Sequence, residues 1–246
     1  MIPSGLAPRL RRLAASAAMI GLCAASAPVS ASPLASSSLA ASSLAGGAFE
    51  AGLPGYRPGD TFIFDNRRVE RVGRIDGEHV VWRTRSGREY VRHRNFIVPI
   101  LEWQVRDRIG KRKVFGKPNK LWPLKEGKRV RFRVVTETED LDGSGRRRTV
   151  NLWACKVGDK QLTDTDAGPF ETFPIQCERF SHNSMRLIQR HTWHYAPTVG
   201  HYVRRETVSF FTGERKEFEL AVMLPAHLAN DRRIRMTVRD LAVAAK

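Results

Sequence analysis

Short runs of alternating apolar and polar residues, separated by glycine-containing turns, recur through most of this 246-residue chain. In residues 129–135, for example, Val130, Phe132 and Val134 alternate with three arginines. Because successive side chains of a β-strand point to opposite faces, such runs set an apolar face against a polar one. Turns such as Asp76-Gly77 fall between neighbouring runs. The pattern predicts a mostly β protein with antiparallel strands.

The strand-like runs form two groups, which predicts two folded parts. Residues 55–103 hold four short runs with the spacing of a small, SH3-sized β module. Residues 125–224 hold longer runs and predict a larger, curved antiparallel β-sheet domain. Residues 104–124 are basic and rich in turn formers, so we interpret them as a linker, either a solvated connector or a contact for an anionic polymer or membrane. Residues 225–246 form a tail, either a short helix or disordered.

The N-terminus has the pattern of a secretory signal peptide, residues 1–31. Three arginines precede an apolar run at residues 13–25, and small residues end the segment at Ala31, where we expect cleavage. The apolar run is too short to span a bilayer core of about 30 Å, so we expect no transmembrane segment after cleavage. The predicted location is therefore the periplasm or the cell exterior.

Two further features lie within or next to this leader. Cys23 could mark lipidation, but Leu22 precedes it where a small residue is expected, so lipidation is the lesser alternative. Residues 32–54 consist mainly of serine, alanine, leucine and glycine and are interpreted as a flexible spacer.

The chain carries a strong positive charge, which favours anionic partners. Removal of residues 1–31 takes away three arginines and no acidic residue, which lowers the formal charge from +17 to +14. Such a field attracts anions without selecting among them. Because an exported protein meets envelope polymers before nucleic acid, an anionic or amphiphilic envelope component is the predicted partner, and nucleic acid is not.

Cys155 and Cys177 are the two cysteines that remain after the predicted cleavage. An oxidising compartment makes a disulfide between them the expected state. Both lie in strand-like runs close enough in sequence to be sheet neighbours. A reactive thiol is the weaker interpretation, because no histidine is adjacent to either cysteine.

The sequence contains no G-x-S-x-G elbow, phosphate loop, dinucleotide fingerprint or H-E-x-x-H motif. His191, His194 and His201 suggest a metal site, but residues three apart on a strand point to opposite faces, which favours ordinary histidines. Residues 140–143 and 164–168 resemble calcium loops without the remaining oxygen ligands. We therefore predict no metal and no cofactor, and favour a binding role over an enzymatic one.

The densest group of aromatic and basic side chains lies in residues 191–206, which predict a β-hairpin. Trp193 and Tyr195 share a face with His191, whereas Tyr202 and Arg204 alternate with Val203 and Arg205 after the turn. Aromatic rings beside guanidinium groups can stack on a sugar or pair with carboxylate and phosphate. The alternative is a hairpin whose rings fill a core. The predicted ligand-binding residues are Trp193, Tyr195, Tyr202, Arg204 and Arg205.

Three motifs occur in order along the second part of the chain: W-P-L-x-x-G at residues 122–127, A-G-x-F-x-T-F-x-I at residues 167–175 and W-x-Y-A-P-x-x-G at residues 193–200. Together they resemble a β-rich domain of unknown function found in exported proteobacterial proteins, over about residues 121–224. The resemblance implies a curved antiparallel sheet in the periplasm and carries no catalytic residues with it. Residues 55–103 lie outside it.

The leading hypothesis is a non-catalytic periplasmic protein that binds an anionic or amphiphilic envelope component. A lipid or lipoprotein carrier is the first alternative and would need an apolar pocket. An envelope hydrolase is the second and would need a convergent nucleophile or metal constellation. A structural or assembly factor is the third, and it predicts a flat apolar patch in place of a pocket. No oligomeric state is predicted.

Overall fold

The computed structural model describes residues 51–244. The predicted signal peptide and most of the predicted spacer lie outside this region. At its start, Ala51 is buried and forms a β-bridge with Leu124, so the last residues of the predicted spacer pack against the folded protein. Within the described region the structure contains no helix with the length and hydropathy needed to cross a membrane.

The described region is mostly β, as predicted, and ends in one α-helix. The strands are β1 (Thr61–Phe64), β2 (Val69–Asp76), β3 (His79–Arg83), β4 (Glu89–His93), β5 (Glu102–Val105), β6 (Arg108–Gly116), β7 (Arg129–Asp140), β8 (Arg146–Val157), β9 (Gln161–Thr165), β10 (Gly168–Ser181), β11 (Leu187–Ala196), β12 (His201–Ser209) and β13 (Arg215–Leu224). A 3-10 turn (Pro118–Leu121) precedes β7, and helix α1 (Asp231–Ala244) follows β13.

All thirteen strands belong to one antiparallel sheet, which closes on itself as a barrel. The order runs β11-β12-β13-β1-β2-β3-β4-β5-β6-β7-β8-β10, and β10 also pairs with β11, which completes the ring. Strand β9 pairs with the first part of β10 outside that ring. Closure leaves the ring strands without an unpaired edge, and it gives the protein an interior.

Residues 102–116 form β5 and β6 instead of the predicted linker, so that prediction was wrong. The two strands join β4 to β7, and the two predicted parts share one sheet and one aromatic core. The basic side chains misled the prediction, since Lys111 and Lys113 are exposed on the outer face of β6. Gly110 also misled the prediction, because glycine is common in turns. A Cβ on Gly110 would lie 2.0 Å from the ring of Trp103, so this glycine makes room for an indole and does not form a turn.

A loop of residues 94–101 fills one side of the barrel interior, and we call it the plug loop. Phe96, Ile97 and Val98 are each buried to at least 98%. The Phe96 ring stacks on Tyr195 at 5.6 Å between centroids and meets Tyr202 edge-on at 5.5 Å. Burial of this aromatic cluster makes the plug loop part of the barrel core.

Helix α1 packs on the outside of the barrel, which settles the alternative between helix and disorder for most of the tail. Its Ile234 and Val238 are buried together with Ile63 of β1. This cover explains why β1 is buried on both faces although its sequence resembles a half-exposed strand. The side chain of Asn230 accepts a hydrogen bond from the Arg233 N–H at 2.9 Å, as a helix N-cap does.

Cys155 and Cys177 stand directly opposite each other on β8 and β10, with 4.0 Å between their Cα atoms, and they form the predicted disulfide. The bond joins two ring strands at a buried position. It therefore cross-links the sheet where β10 connects the two ends of the ring.

Replacing both cysteines, Cys155→Ala with Cys177→Ala, should lower the free energy of unfolding by about 3 kcal/mol, because a cross-link over this sequence separation restricts the unfolded chain. Urea unfolding of the parent and the double variant measures the difference. The parent with reductant should approach the variant. Equal stability of oxidised parent and variant would contradict the prediction.

Candidate functional site

Four arginines from four different strands converge on one cavity inside the barrel: Arg92 (β4), Arg112 (β6), Arg179 (β10) and Arg205 (β12). The cavity has a volume of about 170 Å³ and lies against the plug loop. Its other lining residues are Phe96, Ile97, Pro99, Ile100, Val134, Thr136, Asn151, Trp153, Gln189, His191 and Trp193. No acidic side chain is among the described residues that line it. We call this space the arginine cavity.

Strand alternation points these arginines inward. On β6, Arg112 is the partly buried residue between two exposed lysines. On β10, Arg179 continues the inner face that begins with Ile175 and Cys177, and it lies opposite Trp153 on β8 and Gln189 on β11. Long-range pairing of the strands then brings residues that are far apart in sequence to one point.

Several guanidinium N–H groups at the cavity have no hydrogen-bond partner among residues 51–244. They are Nε of Arg179, Nε of Arg205, and Nε and Nη1 of Arg92. Arg112 is the exception, since its Nη1 donates to the Ile100 carbonyl at 2.7 Å and its Nε to Thr136 Oγ1 at 3.2 Å. Leaving a buried donor unsatisfied is unfavourable, and more so when it is charged. An acceptor within reach of these donors would therefore be favourable.

Burial lowers the pKa values of three cavity arginines. Burial lowers the pKa of Arg112 to about 10, with a further contribution from the charge of Arg179. Burial also lowers the pKa of Arg179, and it is the main cause of the lowered pKa of Arg205. The cations are thus less stable here than in water, and a bound anion would reverse this effect.

One buried carboxylate, Glu70, lies beside the cavity, but it already pairs with other side chains. It is fully buried and accepts hydrogen bonds from Arg68 Nε at 2.9 Å, Arg68 Nη2 at 2.6 Å and the Tyr202 hydroxyl at 2.8 Å. Arg92 Nη1 approaches it at 3.6 Å and His201 Nε2 at 3.4 Å. Although burial raises the pKa of Glu70, Arg68 and Arg92 hold it well below its usual range. Glu70 therefore remains charged, and its negative charge mainly neutralises the positive charge of Arg68.

A column of stacked rings forms one wall of the cavity. Phe132 stacks on Trp153 at 5.9 Å, Trp153 on His191 at 5.3 Å, and His191 on Trp193 at 5.4 Å. Burial lowers the pKa of His191 to about 3, with smaller contributions from Arg205 and Arg179. The imidazole is therefore neutral at neutral pH, and it adds a flat surface to the wall without adding charge.

The structure brings two of the five predicted ligand-binding residues to this cavity, Trp193 and Arg205. Tyr195 and Tyr202 are buried in the core instead, where the Tyr195 hydroxyl donates to the Gly52 carbonyl at 3.1 Å and the Tyr202 hydroxyl donates to Glu70. Arg204 lies away from the cavity and pairs with Glu217. The alternative stated above, a hairpin whose rings fill a core, therefore holds for Tyr195 and Tyr202.

The prediction that Tyr202 and Arg204 share a face was wrong because of a β-bulge. His194 pairs with Arg204 and Tyr195 pairs with Tyr202, so Val203 is an extra residue without a partner on β11. An extra residue reverses the alternation beyond it. As a result Tyr202 and Arg205 both face inward, and Arg204 faces outward beside His194.

Sequence reasoning missed Arg92, Arg112 and Arg179. A signal existed for two of them, because Arg92 is two residues from the apolar-face residue Tyr90 and Arg179 is two residues from Cys177. Arginine at an apolar-face position of a predicted strand is unusual and indicates a buried charge. Arg112 could not be found in this way, since its strand was interpreted as a linker.

Other depressions in the described region are larger than the arginine cavity. One has a volume of about 560 Å³ and is lined by Arg85, Arg88, Ile100 and Trp103, among others. Arg85 and Arg88 are exposed, so water already satisfies their donors. The arginine cavity differs because its donors are withdrawn from solvent.

Comparison with known proteins gives similarity to solved structures only. No protein-family model matches the chain, and no curated protein matches it. The hypothetical lipoprotein YmcC from Escherichia coli K12 is 12% identical, with 68% of this chain and 84% of that chain covered and a TM-score of 0.46. A candidate exported protein with a YmcC-like fold from Bacteroides fragilis is also 12% identical, with 71% and 99% covered and a TM-score of 0.40.

A candidate lipoprotein from Parabacteroides distasonis is 12% identical as well, with 68% of this chain and 96% of that chain covered and a TM-score of 0.32. At these identities and TM-scores the similarity has no bearing on a ligand or an activity. The geometry of the arginine cavity is therefore the basis for the function considered next.

Proposed function

We propose that the protein is an exported, non-catalytic binding protein that holds an anionic group of a cell-envelope component in the arginine cavity. The observation that carries the proposal is the convergence of Arg92, Arg112, Arg179 and Arg205 on a space lined by no acidic side chain within the described region. The predicted signal peptide and the positive charge of the chain support an anionic partner in the envelope.

Arginine chemistry supports a carboxylate, phosphate or sulfate group as the bound moiety. Guanidinium groups donate in a planar fork that matches two acceptor oxygens, and charge-assisted hydrogen bonds are stronger than neutral ones. The unpartnered N–H groups of Arg92, Arg179 and Arg205 would then be satisfied, and the repulsion among the cations would be offset. The stacked wall of Trp153, His191 and Trp193 would hold a flat or ring-shaped neighbour of the anion.

The size of the cavity argues for a head group and against a whole lipid. A volume of about 170 Å³ is below the roughly 300–1,000 Å³ of pockets that enclose drug-sized ligands. The lining is rich in cationic and amide side chains, whereas acyl chains need an apolar pocket. These features favour an anionic group over the lipid-carrier alternative.

Arg179→Gln should weaken ligand binding at least about tenfold, because a hydrogen bond to a charged group contributes about 1.5–3 kcal/mol. The purified exported protein is incubated with envelope extract, retained material is identified by mass spectrometry, and affinity for that material is measured by calorimetry. Inorganic phosphate and sulfate serve as defined probes. Arg131→Gln, at an exposed position of β7, is the matched control and should bind like the parent.

Stability separates a binding role from a structural one. Removing a partly buried, unpaired cation should leave the melting temperature of Arg179→Gln unchanged or raise it. Retained material without an anionic group, or equal loss of affinity in Arg131→Gln, would contradict the proposal. So would a cavity that takes up neither phosphate, sulfate nor any envelope component.

A further inference from the structure

Five exposed apolar side chains lie at the same end of the barrel. They are Val105 (48% exposed), Leu141 (53%), Met185 (59%), Phe210 (41%) and Phe211 (78%). Val105 ends β5, and the other four lie in the turns that join β7 to β8, β10 to β11 and β12 to β13. Antiparallel order places these turns and the β5–β6 turn at one end. We call this the hairpin end; the plug loop and the turn at residues 197–200 belong to the opposite end.

Three of these residues lie on two neighbouring hairpins and form, with a nearby cation, a hairpin-tip patch: Met185, Arg186, Phe210 and Phe211. The Arg186 guanidinium lies 5.8 Å from the centre of the Phe211 ring. The backbone of both turns is fixed, because Met185 N–H donates to the Ser181 carbonyl at 2.9 Å and Phe210 N–H donates to the Ile188 carbonyl at 3.0 Å. The patch is therefore displayed on ordered hairpins that neighbour each other in the sheet.

The turns at this end hold five exposed arginines (Arg67, Arg85, Arg88, Arg106 and Arg186) and four exposed acids (Asp65, Asp107, Asp142 and Glu214). Arg186 of the patch and Arg85 and Arg88 of the β3–β4 turn are exposed, and within residues 51–244 none of the three forms an ion pair. Exposed aromatic and methionine side chains beside arginines match the interface of a bilayer with anionic headgroups.

We propose that the hairpin end docks on the surface of an anionic lipid bilayer, with Phe210 and Phe211 inserted at the level of the headgroups and Arg186 in contact with lipid phosphate. The inference goes beyond the binding function proposed above and does not depend on it, because the patch and the arginine cavity have no residue in common.

Vesicle flotation tests this inference. The purified exported protein should float with vesicles of phosphatidylcholine and phosphatidylglycerol and should bind vesicles of phosphatidylcholine alone much more weakly, because arginines near a charged surface add attraction. The double variant Phe210→Ser with Phe211→Ser should lower the partition coefficient at least about tenfold. Arg186→Gln should lower it less and should reduce its dependence on salt.

Phe115 provides a matched control. It is 44% exposed and has the Arg133 guanidinium 4.8 Å from its ring centre, which resembles Phe210 with Arg190 at 5.3 Å, but it lies near the opposite end. Phe115→Ser should float like the parent. Unchanged flotation of the double phenylalanine variant, equal loss in Phe115→Ser, or no binding of the parent to anionic vesicles would each overturn the proposal. Melting temperatures should be equal across the set, because all the replaced side chains are surface-exposed.

Discussion

Glu70→Gln should lower the free energy of unfolding by about 3–5 kcal/mol, since removing one partner of a buried ion pair leaves the other charge uncompensated. Glu70 is fully buried, and it accepts hydrogen bonds from Arg68 and Tyr202. The neutral amide would leave Arg68 and Arg92 without an anion in the barrel interior. In a protein of this size the melting temperature should fall by roughly 10 °C.

Urea unfolding of parent and variant measures this effect, and the exposed pair of Glu139 and Arg146 provides the control. Glu139→Gln removes the same charge from a pair whose side chains are both accessible to solvent. Exposed pairs contribute about 0–1 kcal/mol, so this variant should resemble the parent. A loss below about 1 kcal/mol for Glu70→Gln would show that the interior tolerates unbalanced arginines.

The second large effect is a loss of stability in mild acid, caused by His191. In the unfolded chain a histidine has a pKa of about 6.5, whereas burial beside Arg205 and Arg179 lowers the pKa of His191 to about 3 in the folded protein. Below about pH 6.5 the unfolded chain therefore binds a proton that the folded protein does not. The free energy of unfolding should fall by up to about 1.4 kcal/mol per pH unit, or about 4 kcal/mol in total as the pH approaches 3.

His191→Gln should remove this contribution and flatten the dependence of stability on pH between about pH 7 and pH 4. His201 is also buried with a lowered pKa and remains in both proteins, so the comparison isolates His191. His227→Gln, at an exposed position, should keep the slope of the parent. If the free energy of unfolding of the parent and of His191→Gln changed with pH in parallel, His191 would be protonated in the folded protein as readily as in the unfolded chain.

The two predictions describe one interior. Glu70 balances the arginine that lies closest to it, and neutral His191 adds no positive charge to the opposite wall. Arg179 and Arg205 then line the cavity with Nε–H groups that have no hydrogen-bond partner in the described region. An anion in the cavity should therefore stabilise the folded protein, which ties the proposed function to a measurable shift in melting temperature.

Local sequence patterns predicted the elements well where a strand or turn depends on its own residues. Val130, Phe132 and Val134 are buried and alternate with exposed arginines on β7, as expected. Gly77 and Gly87 lie in turns with positive φ angles of 54° and 79°. These features follow from side-chain alternation and backbone sterics, which act over a few residues.

Two errors arose where a contact with another strand overrides the local pattern. Gly110 lies in the segment predicted to be a turn-rich linker, but it accommodates the ring of Trp103 from β5. Tyr202 and Arg204 were assigned to one face, but the bulge at Val203 separates them. Neither the neighbouring indole nor the extra residue can be recognised from one strand alone.

By itself the sequence determined the mostly β character, most strand positions and the pairing of Cys155 with Cys177. The alternation of apolar and polar residues depends on neighbouring residues, and two cysteines in an exported chain leave one possible disulfide. Only the tertiary structure decided that the strands form one closed sheet and that Arg92, Arg112, Arg179 and Arg205 meet inside it. Alternation states which residues share a face. Which faces enclose a common interior depends on hydrogen bonding between strands far apart in the chain, here the pairing of β10 with β11 that closes the ring.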